Sequence, residues 1–272
     1  MIIDNLQFNR IIVIESLPEK ERRTGKDLYN DVLHLRQHQL ENQFEACYYF
    51  IHSHEDFCHT LQLIKSVVDS VSIAPVIHFE MHGSDKGLQL ASGHMVSWSE
   101  LNYFFREINT KTHNSLLITF ASCYGLSIIS NMGLHKKGPF CSVIGSNEEI
   151  FPEEILISFS GFYDTLLVEK SFDNAIKSLN LTYDGKIKFK FINAEAIVQE
   201  AIKQVEKNHF LNEERLKEIE EKSIKNVMLN LPDRYEDKRE VAKEIVQYWF
   251  QRRSIIFNDI LKDFSHQPVL PE

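Results

Sequence analysis

Two apolar runs within residues 74–125 constrain the fold of this chain more than any other feature. The first reads A-P-V-I-H-F-E-M-H-G and ends at His82 and Gly83. The second reads S-L-L-I-T-F-A-S-C-Y-G and ends at Cys123, Tyr124 and Gly125. Short apolar, partly β-branched runs bounded by glycine predict buried strands. Between them lies S-W-S-E-L-N-Y-F-F-R-E-I-N. Ser97 and Glu100 have capping-box spacing, and Leu101, Phe104, Phe105 and Ile108 make one apolar helical face. Strand, helix, strand with a right-handed crossover makes the two strands parallel. Ligands of such sheets bind beyond the carboxyl ends of the strands, where His82 and Cys123 both fall.

An imidazole beside a thiol is a chemical pair. The imidazole can accept the thiol proton or stabilise the thiolate, which is the nucleophilic form. Gly83 has no side chain, so its N–H can approach a reacting carbonyl oxygen closely. With the N–H of Cys123 it would form an oxyanion hole. The expected catalytic set is therefore His82, Cys123 and Gly83, working by cysteine acyl transfer.

The same residues resemble the caspase-like cysteine peptidases. In caspases the signature Gln-Ala-Cys-x-Gly follows its histidine by about fifty residues. Here H-G at 82–83 precedes A-S-C-Y-G at 121–125, and only C-x-G matches. The segments L-Q-L-A-S-G-H-M-V-S-W-S-E-L and F-Y-D-T-L-L-V-E-K-S-F-D-N-A-I-K-S-L are more similar to the CHAT branch, caspase-like proteases often found in bacteria. The resemblance spans about residues 10–190. It implies a caspase-like sandwich, a Cys–His dyad without cofactor or metal, and a regulated endopeptidase acting on a protein substrate. A role in bacterial defence, including antiviral defence, or in cell death is implied by family alone. Two other readings remain: a catalytically silent scaffold module, and a thiol hydrolase acting on a small amide or ester.

The flanking sequence extends the α/β pattern. I-I-V-I at 11–14 predicts a first strand and A-C-Y-Y-F-I at 46–51 a second. Thr24 and Asp27 mark a helix start, with Leu28, Val32 and Leu35 inward. A helix over about 54–71 carries Phe57, Leu61, Ile64, Val68 and Val71 on one stripe. A short helix follows Cys123, a fifth strand lies at 140–145, and Pro152 opens a helix with Ile155, Phe159, Phe162 and Leu166 inward. K-I-K-F-K-F at 186–191 alternates as a half-buried strand near an edge, with Ile187, Phe189 and Phe191 inward. The expected organisation is a protease-like α/β domain over 1–192, a mostly parallel sheet flanked by helices. A helical extension of about three helices over 193–272, broken near His209 and Pro232, would pack on it and could bind a regulatory protein.

Substrate contacts are expected from Arg22 and Arg23 after the first strand, or from Glu148 and Glu149 after the fifth. Glu80 shares a strand face with His82 and could orient it. His52, His54, Cys58 and His59 look like metal ligands, but His52 and His54 read as strand alternation. Cys58 and His59, adjacent on a helix, do not share a face. No metal site is expected there. A net charge of −9 argues against a nucleic-acid partner. The chain has four cysteines, at 47, 58, 123 and 141, without C-x-x-C spacing, and no long apolar run. That points to free thiols and a cytoplasmic protein without a membrane span.

Overall fold

The computed structural model describes residues 2–3, 6–70, 74–133, 136–181, 187–210, 213–232 and 237–265. It divides into two compact units, Met1–Ala194 with Ser265–Glu272, and Glu195–Phe264.

The first unit is α/β. A small antiparallel pair, β1 (Ile2–Ile3) and β2 (Leu6–Gln7), precedes the main sheet. The chain then runs through β3 (Arg10–Ser16), α1 (Thr24–Leu28), a π-helical turn (Tyr29–Leu33), α2 (His34–Gln39), β4 (Glu45–Phe50) and α3 (His54–Ser70). Next come β5 (Pro75–Gly83), the hairpin β6 (Gly87–Gln89) and β7 (Met95–Ser97), α4 (Trp98–Lys111) and β8 (Leu117–Ala121). A 3-10 helix (Gly125–Asn131), β9 (Ser142–Ser146), α5 (Pro152–Glu169), α6 (Phe172–Leu179) and β10 (Phe189–Asn193) complete it.

The sheet order is β10-β9-β8-β5-β3-β4. Along this order the neighbours from β4 to β9 are parallel and the edge strand β10 is antiparallel; off it, β6 joins the end of β5 antiparallel and pairs with β7. The chain leaves β3 towards β4, then returns to β5 on the other side. This reversal opens a crevice between the carboxyl ends of β3 and β5, the usual ligand position in a doubly wound sheet.

Strand alternation divides the core. Ile11, Val13, Val76, Leu117 and Ile144 face α1, α5 and α6, where they meet Leu28, Phe159, Phe162 and Leu166. On the other face Phe79 and Phe120 pack on Phe105 of α4, and Phe57 of α3 meets Phe104. Full burial of each such side chain stabilises the fold by about 1.5–3 kcal/mol.

Several local expectations change. Leu28 and Leu33 are buried, whereas Val32 is half-buried and Leu35 is 48% exposed. The π-helical turn inserts an extra residue and moves the inward stripe by one position. Phe189 is buried against Phe159, but Ile187 and Phe191 are exposed. Ile187 precedes the strand, and Phe191 meets Phe172 of α6 at the rim. Lys186 and Val71 lie outside the described residues. The hairpin between β5 and α4 was not expected.

The second unit is helical, with α7 (Ala194–Val205) leading into it, then a π-helical turn (Glu206–Phe210), α8 (Glu213–Asn230), α9 (Lys238–Gln251) and α10 (Arg253–Lys262). At the expected break near His209 the chain is still helical, as a π-helical turn, and residues 211–212 lie outside the described residues. A further break at Arg252 separates α9 from α10, so that four helices rather than three lie among the described residues. Ile224 of α8 packs with Ala242 and Val246 of α9, and Arg239 pairs with Glu221. Among the described residues, no helix is long and apolar enough to cross a membrane.

Candidate active site

The β5–β8 ladder runs in register from Val76 opposite Leu117 to Glu80 opposite Ala121. His82 and Cys123 therefore each stand two residues beyond the same rung. Parallel neighbours lie about 4.8 Å apart; His82 continues β5, whereas Cys123 lies in the turn that follows β8. Both residues line one cavity of about 350 Å³, together with Glu21, Arg22 and Glu80.

Two glycines permit this approach. A β-carbon on Gly83 would lie 2.1 Å from the Cys123 carbonyl oxygen. One on Gly125 would lie 2.5 Å from Cβ of Phe120. Between them Tyr124 holds φ 56° and ψ 23°, the left-handed region that bulky residues avoid. Such a conformation costs about 1–3 kcal/mol and needs outside support. Part of that support is the Tyr124 N–H, which donates to the Glu148 carbonyl at 3.3 Å.

The hairpin shapes the other lip. Ser84 N–H donates to Gly87 O at 2.9 Å, making Ser84 and Gly87 a hydrogen-bonded pair. Antiparallel alternation then makes Gly83 and Leu88 a non-hydrogen-bonded pair. The Gly83 N–H consequently turns away from β6. Cys123 N–H has no acceptor among the described residues. The hairpin turn is fixed by Trp98, buried at the start of α4, whose indole N–H lies 3.1 Å from the carbonyls of both Ser84 and Asp85. Ser97 caps α4 by accepting from Glu100 N–H, but the Glu100 carboxylate turns to His54 instead of closing the capping box.

His82 Nε2 lies 2.9 and 3.1 Å from the two carboxylate oxygens of Glu21. A carboxylate accepts, so Nε2 carries the proton and the Nδ1 lone pair is left for proton transfer. His82 and Cys123 share no hydrogen bond in this state. The sulfur instead accepts from Ile150 N–H at 3.3 Å. Catalytic contacts often tighten only when substrate is bound.

Glu80 does not orient His82. It is buried and accepts from His78 Nε2 at 3.0 Å and from the Thr24 hydroxyl. His78 Nδ1 in turn meets Thr119 Oγ1 at 2.8 Å. Beside this chain Glu15, fully buried, accepts from Gly25 N–H at 2.8 Å and from the Tyr48 hydroxyl. Burial raises the Glu15 carboxyl above its ordinary value, while the Tyr48 and Gly25 hydrogen bonds pull the other way and the nearby Glu80 charge adds to the rise. These groups hold α1 against β3 and β5 beneath the cavity.

The expected substrate residues divide. Arg22 lines the cavity and is held by Asp27 at 2.8 Å. Arg23 lies elsewhere, its guanidinium 3.6 Å from the Phe50 ring centroid and 3.7 Å from Glu15. Glu148 and Glu149 are exposed and do not line the cavity; Glu153 does. Glu21 was missed by sequence reasoning. Its only signal was its position beside Arg22 in the loop after the first strand.

Among the described residues none of the four cysteines forms a disulfide. Burial raises the Cys47 thiol to about 11, with the Glu45 charge adding to it. Comparison with known proteins identifies no family: no protein-family model and no curated protein matches this chain.

Proposed function

We propose that this chain is a caspase-like cysteine endopeptidase, nearest the CHAT branch, that cuts a protein partner. The observation that carries the reading is the pairing of His82 and Cys123 beyond one rung of a parallel ladder, on the wall of one cavity. His82 Nδ1 takes the Cys123 thiol proton, and the thiolate attacks the scissile carbonyl carbon. The oxyanion is held by the N–H groups of Gly83 and Cys123. The C–N bond breaks as the imidazolium protonates the leaving amine. His82 then deprotonates water, which attacks the thioester, releases the carboxylate product and returns the thiol. Glu21 acts through His82 as a positioning residue, by the logic of an imidazole oriented by a carboxylate.

The helical unit supports a regulatory partner in this reading. Leu229, Tyr248, Trp249, Ile255 and Ile256 are all exposed there, more apolar surface than a solvated helix requires. A second reading, a catalytically silent scaffold, draws on the missing His82–Cys123 hydrogen bond.

The two separate on incubation of wild type and Cys123→Ala with a whole-cell protein extract, followed by sequencing of new protein N-termini. Defined cuts with wild type and none with the variant are expected. Identical cutting by both proteins removes the mechanism, and no cutting by either favours the scaffold.

A further inference from the structure

His54, Cys58 and Glu100 bring one ligand atom each to within 4.8 Å of one another. His54 opens α3, so Cys58 follows it by one helical turn and shares its face. Glu100 reaches the same point from the first turn of α4, its Oε1 2.6 Å from His54 Nε2. Cys58 Sγ stands 3.7 Å from that nitrogen. The hairpin offers a fourth donor, which lies outside that 4.8 Å group and must turn its ring to join it. The His94 ring centroid is 4.5 Å from that of His54, and its ring nitrogens have no hydrogen-bond partner among the described residues. Residues 90–94 are tied over the start of α3 by Ser92 N–H donating to His52 O at 3.1 Å.

We propose that His54, Cys58, His94 and Glu100 form a four-coordinate zinc site that joins α3, the β6–β7 hairpin and α4. Zinc takes nitrogen at about 2.0–2.1 Å and thiolate sulfur at about 2.3 Å in tetrahedral sites, which sets N to S edges near 3.5 Å. The His54–Cys58 separation already matches. The His54–Glu100 contact is a hydrogen bond shorter than a ligand edge and would open by under about 1 Å. A thiolate with imidazoles selects zinc over magnesium or calcium. Binding replaces the Cys58 S–H proton, which leaves to solvent, and the proton that His54 Nε2 donates to Glu100 moves to Nδ1, so that Nε2 offers its lone pair. None of these four side chains lines the cavity beside Cys123. The sequence concealed the site because His54 read as strand; as the first residue of α3 it pairs with Cys58 rather than with His52.

Cobalt(II) reports this geometry directly. Titration of the metal-free full chain is expected to give one tetrahedral cobalt per chain, with visible d–d bands and a thiolate-to-cobalt charge-transfer band. Zinc should displace it. Cys58→Ser should abolish the charge-transfer band, Glu100→Gln and His94→Ala should each weaken binding by about tenfold or more, and Cys123→Ser should leave the cobalt spectrum and affinity as in wild type. Unaltered thermal unfolding of Cys58→Ser without metal shows that the variant is folded. No charge-transfer band in wild type, or a band that survives Cys58→Ser, overturns the proposal. The result does not depend on peptidase activity.

Discussion

A β-carbon placed on Gly83 would stand 2.1 Å from the carbonyl oxygen of Cys123. The backbone after the histidine and the backbone at the cysteine are therefore packed as closely as two chains can be. The strand ends are fixed to one another, and the two reactive side chains inherit that placement.

Gly83→Ala should be costly. The carbonyl is backbone and cannot rotate away, so one strand end must move. Overpacking of this kind costs about 1–3 kcal/mol. Urea unfolding should register that loss, and reactivity at Cys123 should fall with it. An unchanged midpoint would mean that the strand ends separate freely.

Glu21→Ala should separate activity from stability. His82 is 50% exposed and Glu21 42% in this pair, so its loss should change stability by less than about 0.5 kcal/mol. General acid–base groups contribute roughly 10²–10⁴-fold, and a half-exposed orienting partner supplies part of that, so cleavage should slow by about tenfold. Glu21→Gln should recover some of it at an unchanged melting temperature. Equal turnover in all three proteins would remove Glu21 from the mechanism.

Glu15 gives a pH dependence with a defined sign. Its carboxyl is raised above 4.5, chiefly by burial. The folded protein thus holds that proton more tightly than the unfolded chain. The associated stability is fully present below about 4.5 and declines as pH rises through the folded value. Relative to wild type, Glu15→Gln should become more stable as pH rises from about 4.5. Urea midpoints of both proteins across that range check this; a constant or shrinking advantage contradicts it.

Much of the sheet was legible because its strands are apolar runs of the right length and its glycines mark their ends. The stripes of α3 and α5 were legible for the same reason, being unbroken 3.6-residue patterns. Leu33 was not, since a π-helical turn leaves no compositional mark yet shifts every later inward position. Glu80 shows a different limit. Its face was readable from strand alternation, but three histidine and glutamate positions share that face, and only packing of α5 over His78 decides the pairing. Glu21 was unreadable because a loop has no period to place it. His54 was misassigned for want of one residue at a strand-to-helix boundary.

The most direct test is the site and rate of labelling by a peptidyl electrophile, read by mass spectrometry of the full chain. The account predicts modification first at Cys123, ahead of Cys58 and Cys141 and far ahead of Cys47, whose half-buried thiol is raised to about 11. It also predicts marked slowing in His82→Ala. Labelling spread evenly over the four cysteines, or a Cys123 rate indifferent to His82, would contradict it.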